Sequence, residues 1–190
     1  MRIILASKSP RRKEIFSALG SECGFEFEII TAPTDEELYG EHPQTGVATL
    51  AVRKGEAVYK MHPEALVVSS DTLVELGGVP LGKPVDKADA VRMLKELSGR
   101  AHNVHTGIAV HYKGRVVSGV DTSTVEFKNF SESEALEYVK TGEPMDKAGA
   151  YAIQGIGAKL VLRYEGEFDT IVGLGLKLTE RLIKEALEND

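Results

Sequence analysis

A chain of 190 residues, 42% hydrophobic and 27% charged, has enough apolar material for one globular domain or two small lobes sharing a core. A formal charge of −6 makes the chain a poor candidate for broad nucleic-acid binding, which needs a basic face, but permits a small polyphosphate held by a few local cations and a metal. The single cysteine, Cys23, excludes an internal disulfide, and no apolar run is long enough to span a membrane, so a cytoplasmic location is expected.

Residues 2–6 read as a short buried strand. Ser9-Pro10 then opens a helix, since Ser is a favoured N-cap and Pro suits the first helical position. Ile15, Phe16 and Leu19 give that helix an apolar face, and Gly20 is its expected end. A second strand is expected over 25–30, followed by an acid-rich loop over 31–44. The pattern over 45–61 is helical, with an inward stripe of Val47, Leu50, Ala51, Lys54 and Val58. Residues 65–69 form a strand running into Ser70-Asp71-Thr72, and 73–81 a hairpin around Gly77-Gly78. Asp86 caps a helix that runs to Leu97 and stops at Ser98-Gly99. A long hairpin, 102–112 and 115–127, turns at Lys113-Gly114. Ser131 and Glu134 are spaced as a capping box for another helix. After a Gly-rich loop come a strand over 160–164 and an amphipathic helix over 176–187. Helices and strands alternate throughout, so the fold class is α/β with a mixed sheet.

Four places have the chemistry of a site. In Ser7-Lys8-Ser9-Pro10-Arg11-Arg12 a strand feeds a helix start that carries two arginines. The helix dipole disfavours cations there and favours anions, so the arginines read either as partners of a bound phosphate or as a solvated basic turn. Lys54, on a core-facing stripe, either snorkels to the surface or faces an anion. Asp71 follows the apolar run Leu66-Val67-Val68, where the carboxyl end of a strand would open on a ligand. It reads as a metal ligand, a general base or a turn cap, and Lys83, in extended backbone before Pro84, could face the same cleft. The Gly-rich block 142–155 ends in Gln154, whose amide suits a base edge, although a structural crossover would look the same. No P-loop or complete dinucleotide fingerprint is present. His102 and His105 have opposite strand parity and so would not share a metal, while His42, His62 and His111 read as surface residues.

Together these segments resemble the Maf family. Leu5-Ala6-Ser7-Lys8-Ser9-Pro10-Arg11-Arg12 is similar to its opening signature, S-x-S-P-R-R. Asp35-Glu36, Lys54, Asp71-Thr72, Gly82-Lys83-Pro84, Ser98-Gly99-Arg100 and the block 142–155 follow in the family's order and spacing, covering nearly the whole chain. The resemblance implies a single Maf-type domain over 1–190, a mixed twisted sheet with flanking helices and two lobes around a cleft, akin to the inosine triphosphate pyrophosphatases, and usually a homodimer. It implies hydrolysis of a nucleoside triphosphate between the α and β phosphates, assisted by Mg²⁺ or Mn²⁺. By position, Asp71 matches the catalytic base, Ser9, Arg11, Lys54, Lys83 and Glu36 match the polar active-site set, and Glu36 and Asp71 are the implied metal ligands. Arg12, Thr72 and Gln154 match the positions that separate subtypes, and all three agree with the branch acting on dTTP and UTP. The alternatives are a nucleotide-binding regulator of septum formation without turnover, or a pyrophosphatase for other modified nucleotides such as 7-methyl-GTP. Two departures stand out: Gly55 replaces the Ala that often follows the helical lysine, and Thr170 and Gly175 replace the Asn and Pro of an Asn-Val-Val-Gly-Leu-Pro-like run.

Overall fold

A computed structural model describes residues 1–34 and 42–188. The chain forms two compact units. The first comprises Met1–Asp71, Thr106–Asp121 and Gly173–Asp190, and the second Thr72–His105 and Thr122–Val172.

In the first unit, β1 (Ile3–Leu5) pairs in parallel with β2 (Glu28–Ile29) and with the start of β3 (Leu66–Leu76), in the register Ile3↔Leu66, Ile4↔Val67, Leu5↔Val68. Side chains alternate across a strand, so this register sorts the apolar residues by parity. Ile3, Leu5, Leu66 and Val68 pack with Phe16 and Leu19 of α1 (Pro10–Cys23) and with Leu178 and Leu182 of α6 (Leu176–Leu187). Ile4, Ala6 and Val67 pack with Val58 of α2 (Pro43–Tyr59). Helices therefore cover both faces, which is why these strands are apolar without alternation.

Helix α1 starts as its sequence dictates, with the Ser9 side chain accepting a hydrogen bond from the Arg12 N–H. It does not end at Gly20. Gly20 is buried within the helix, because a Cβ there would meet the Phe25 carbonyl oxygen at 2.7 Å. The helix stops three residues after it, and Gly24, at φ +75°, is the left-handed cap. Helix α2 begins two residues earlier than expected, with Pro43 in its first turn. It lies very close to the sheet: a Cβ at Gly107 would strike the backbone of Val47 and Ala48, and one at Gly55 would lie 2.5 Å from Ser69 Oγ and 2.6 Å from His111 Nδ1.

The second unit contains the rest of β3, β4 (Val79–Leu81), α3 (Lys87–Leu97), α4 (Glu132–Lys140), β7 (Val161–Glu165) and α5 (Phe168–Val172). It also holds the first part of β5 (Ala101–Tyr112) and the last part of β6 (Arg115–Phe127). The β3–β4 hairpin closes on Gly77 and Gly78, at φ +59° and +86°, with Val74 opposite Leu81. Two consecutive positive φ values are what a two-residue hairpin turn requires. Asp86 caps α3 and Ser131 with Glu134 forms a full capping box on α4, both as the sequence indicates. The Gly-rich block folds into short 3₁₀ turns, Glu143–Asp146, Ala148–Ala150 and Gly155–Leu160. The strand order is β2-β1-β3-β5-β6-β7, with β4 on β3, a mixed sheet with flanking helices as expected.

Three further expectations need correction. The second strand is two residues long, not six. β3 runs on to Leu76, so Asp71 lies inside a strand and not just past its end. His111 is buried at 4% exposure, its ring tilted against that of Tyr59, and is not a surface residue. Among the described residues no helix is long and apolar enough to cross a membrane.

Candidate active site

In the first unit the turn between β1 and α1 is organised by its serines. Ser7 Oγ, buried, accepts from the Ser9 N–H at 3.2 Å and from Arg12 Nη1 at 3.5 Å. Arg12 then ties a loop to a strand: Nε donates to the Gly173 carbonyl and Nη1 to the Ser70 carbonyl in β3, both at 2.9 Å. Gly173, at φ +123°, also accepts from Ser70 Oγ at 3.1 Å. Only glycine adopts that backbone readily, and it is this conformation that offers one carbonyl to two donors. Arg12 is therefore bound into the fold, and the reading of this turn as solvated does not hold for it. Arg11, half-buried on the same turn, makes no hydrogen bond or ion pair among the described residues.

The next residue of β3 receives a second cation. Lys54 Nζ donates to Asp71 Oδ1 at 2.5 Å, and the two side chains are 16% and 15% exposed. Lys54 thus does not snorkel. The close approach of α2 at Gly55 and Gly107 brings its stem over the sheet, and the Asp71 carboxylate meets its charge. A nearly buried carboxylate is tolerated when it is paired in this way. Arg12 and Lys54 contact the consecutive residues Ser70 and Asp71, so a guanidinium from a helix start, an ammonium and a carboxylate converge on one short stretch of β3. No described residue occupies Asp71 Oδ2, leaving a hard oxygen donor for a water or a cation. Glu36, the other expected metal ligand, lies outside the described residues.

The second unit holds Thr72, Lys83 and Gln154. Thr72 follows Asp71 in β3, and Lys83 is exposed just after β4. Gln154 is exposed and precedes the turn Gly155–Leu160. The Lys83 segment and the Gly-rich block are joined by the backbone, with the Gly149 N–H donating to the Gly82 carbonyl at 3.0 Å. Gly149 needs its positive φ of +66° and its missing side chain, because a Cβ would lie 2.9 Å from Val74 Cγ2.

Sequence reasoning missed several residues that shape these loops. Glu143 Oε1 accepts from Tyr138 Oη at 2.9 Å and from the Gly157 N–H at 3.1 Å, while Oε2 accepts from the Ile156 N–H at 3.0 Å. His102 Nε2 lies 2.9 Å from Tyr151 Oη in the core of the second unit. Their signal was faint: Glu143 and Tyr151 lie inside the Gly-rich block and Tyr138 and His102 on elements before it, with no common periodicity. The two histidines do face different partners, as their parity implies, since His105 contacts Glu75 and Thr122.

The departures also find an explanation. Gly55 has no room for the Ala methyl because His111 and Ser69 fill its place. Gly175, the N-cap of α6, sits at φ −65°, the angle a proline ring imposes, so the backbone keeps the shape that Pro would have fixed. The structure offers no account of Thr170 in place of Asn.

A model of the family described as Maf-like protein matches residues 2–186. The dTTP/UTP pyrophosphatase of Aquifex aeolicus is 44% identical over 185 residues, 97% of this chain and 95% of that protein. The dTTP/UTP pyrophosphatase of Bacillus velezensis is 43% identical over 185 residues, 97% of this chain and 96% of that protein. Among solved structures, a nucleoside-triphosphatase / dITP/XTP pyrophosphatase from Mycobacterium abscessus superposes with a TM-score of 0.52 at 14% identity. That match covers 100% of this chain and 96% of the other, a likeness of fold.

Proposed function

The chain belongs to the Maf family, and from that premise we propose that it is a nucleoside triphosphate pyrophosphatase that hydrolyses dTTP and UTP. The observation that carries the proposal is the convergence of Arg12, Lys54 and Asp71 on consecutive residues of β3. It is the arrangement a charged, in-line phosphoryl displacement uses: cations where negative charge develops and a carboxylate to direct water.

In this reading the helix start at Ser9 and Arg11 binds phosphate oxygens through the Arg11 guanidinium and the positive end of the helix dipole, and Lys83 adds a further cation. Lys54 fixes the Asp71 carboxylate by its Oδ1 contact, so that Oδ2 addresses a water. That water loses its proton to Asp71 as its oxygen bonds to the α-phosphorus. The bond from the α-phosphorus to the bridging oxygen breaks, giving a nucleoside monophosphate and pyrophosphate. Asp71 with an oxygen still uncommitted fits a hard divalent cation, which at such sites is held by one or two carboxylates plus substrate phosphates. Mg²⁺ or Mn²⁺ would be held by Asp71 and Glu36, and when bound it supplies charge neutralisation at the phosphates. Thr72 and Gln154 would hydrogen-bond the pyrimidine, with Arg12 as the third subtype-deciding position. Such a site rejects bases that leave its polar groups unpaired.

The family model runs through segments of both units, which supports reading residues 1–190 as one Maf-type domain. A homodimer and a cytoplasmic location are proposed on the same premise. The test is product analysis with Mg²⁺ and UTP or dTTP. We expect monophosphate and pyrophosphate, and a fall of roughly 10²-fold or more in kcat for a folded Asp71→Asn variant. Orthophosphate as the product, or preference for 7-methyl-GTP, would reject the proposal. Tight nucleotide binding without any product would favour a regulator.

A further inference from the structure

Gln154 is the N-cap position of the short 3₁₀ turn Gly155–Leu160 and does not itself hold that turn. Its side chain is exposed and makes no N-cap hydrogen bond, and the following residue, Gly155, is at φ +71°. A base reader on a pliable turn would discriminate poorly, because selectivity requires its donors and acceptors to be fixed before the base arrives. The fixing element is 11 residues earlier in the chain. The Glu143 carboxylate accepts from the two N–H groups at Ile156 and Gly157 and from the Tyr138 hydroxyl, all within 3.1 Å. Tyr138 Oη in turn accepts from the Ala152 N–H at 3.2 Å, so the chain is held on both sides of Gln154. The Tyr138 ring that anchors this network is fully buried on α4.

The packing around the carboxylate is close. A Cβ at Gly155 would lie 3.0 Å from Glu143 Oε2, and one at Gly157 would lie 2.5 Å from both Tyr138 Oη and the Ala152 carbonyl oxygen. Both glycines therefore make room for the clamp itself. Burial alone would push the Glu143 carboxyl up, but the two N–H donors and the tyrosine hydroxyl hold it below the usual carboxylate range. It stays ionised at neutral pH, and an anion facing two adjacent N–H groups makes charge-assisted hydrogen bonds.

We propose that Glu143 is a positioning residue for nucleotide selection, its carboxylate clamping the turn that presents Gln154 to the base. This rests on the reading of Gln154 as a base-contacting residue given under the proposed function. Glu143 touches no substrate in this role and acts through the backbone at Ile156 and Gly157.

The experiment is a double-mutant cycle of Glu143→Gln and Gln154→Ala, read as the ratio of kcat/KM on UTP to that on GTP. In Glu143→Gln the amide keeps the shape and one acceptor but turns an N–H₂ toward a backbone N–H, releasing one arm of the clamp. We expect the ratio to fall at least fivefold in either single variant, chiefly through KM for UTP. The double variant should fall no further than the more severe single one. Hydrogen exchange at Ile156 and Gly157 should quicken at least tenfold in Glu143→Gln. Tyr138→Phe keeps the buried ring and removes the hydroxyl, and should narrow the ratio at least twofold. It serves if Glu143→Gln does not fold. A ratio unchanged within twofold, or single effects that multiply in the double variant, would overturn the proposal. If the wild type hydrolyses neither nucleotide, the proposed function fails by itself. The clamp is then judged on exchange at Ile156 and Gly157 and on the UTP-to-GTP ratio of dissociation constants, where no change in Glu143→Gln overturns it.

Discussion

Arg11 and Arg12 are neighbours in one helical turn, yet they do different work. Arg12 donates to the Gly173 and Ser70 carbonyls, so replacing it removes contacts the empty protein already has. Arg11 has no such contact among the described residues. Thermal melts of Arg12→Ala should therefore show a loss of about 1–3 kcal/mol, the scale of charge-assisted hydrogen bonds left unmade. Arg11→Ala should stay within about 0.5 kcal/mol of the parent. Both should lower kcat/KM on UTP, and Arg11→Ala should do so equally on GTP if it binds phosphate. Normal kinetics in Arg11→Ala would remove it from the site. A different residue contributes to the acid limb of stability. Burial pushes the His102 imidazole down from 6.5 to about 4. Below pH 6.5 the unfolded chain takes up a proton that the native state refuses, so stability is complete above that pH and falls as pH drops toward 4. A shift of this size is worth roughly 3 kcal/mol at most. His102→Gln can keep a hydrogen bond to Tyr151, and its melting temperature should fall less than the wild type's between pH 6.5 and 4. Parallel curves for the two proteins would show that other groups set the slope.

At the scale of elements, the placement of α2 decides where Lys54 points, and two glycines decide the placement of α2. Gly107 lies under Val47 and Ala48, and Gly55 lies over Ser69 and His111. Gly55→Ala should cost about 1–3 kcal/mol through overpacking. Combining it with His111→Ala should cost less than the sum of the two, since one of the two obstructing side chains is gone. Additive losses in denaturant melts would mean that the two positions are independent. The helix itself was legible in sequence, because its stripe of Val47, Leu50, Ala51, Lys54 and Val58 has the period of a helix. All four apolar members of the stripe are indeed buried. So were the caps at Ser9, Asp86 and Ser131, which are local chemistry. What was not legible depends on partners distant in the chain. Gly20 reads as a helix end, yet it is glycine because Phe25 returns across it. Asp71 reads as lying past a strand, because its polar neighbours mask the ladder that continues to Leu76. The clamp at Glu143 has no local pattern at all, and Arg12 was legible as a cation but not as a tie between Ser70 and Gly173.

The whole molecule carries a net charge of −6, and a free triphosphate brings roughly four more negative charges toward it. In the proposed site the few cations of the β1–α1 turn and Lys54 would offset that repulsion locally, and Lys54 is already paired with Asp71. Chelation should thus abolish turnover, with Mg²⁺ or Mn²⁺ restoring it and monovalent salt failing to do so. Full activity in excess chelator would contradict the assignment of Asp71 and Glu36 as oxygen ligands. The state of assembly needs separate care, because of the last turn of α1. Cys23 is the only cysteine in the sequence, and its thiol is exposed beside the Gly24 cap. Air oxidation can join two chains there through one covalent bond and mimic a native pair in sedimentation or light scattering. A mass near twice 20.6 kDa therefore counts as a noncovalent homodimer only if it survives a reductant or Cys23→Ser. The same thiol accepts a single maleimide dye at a defined position, so subunit exchange could be followed by energy transfer without engineering any other residue.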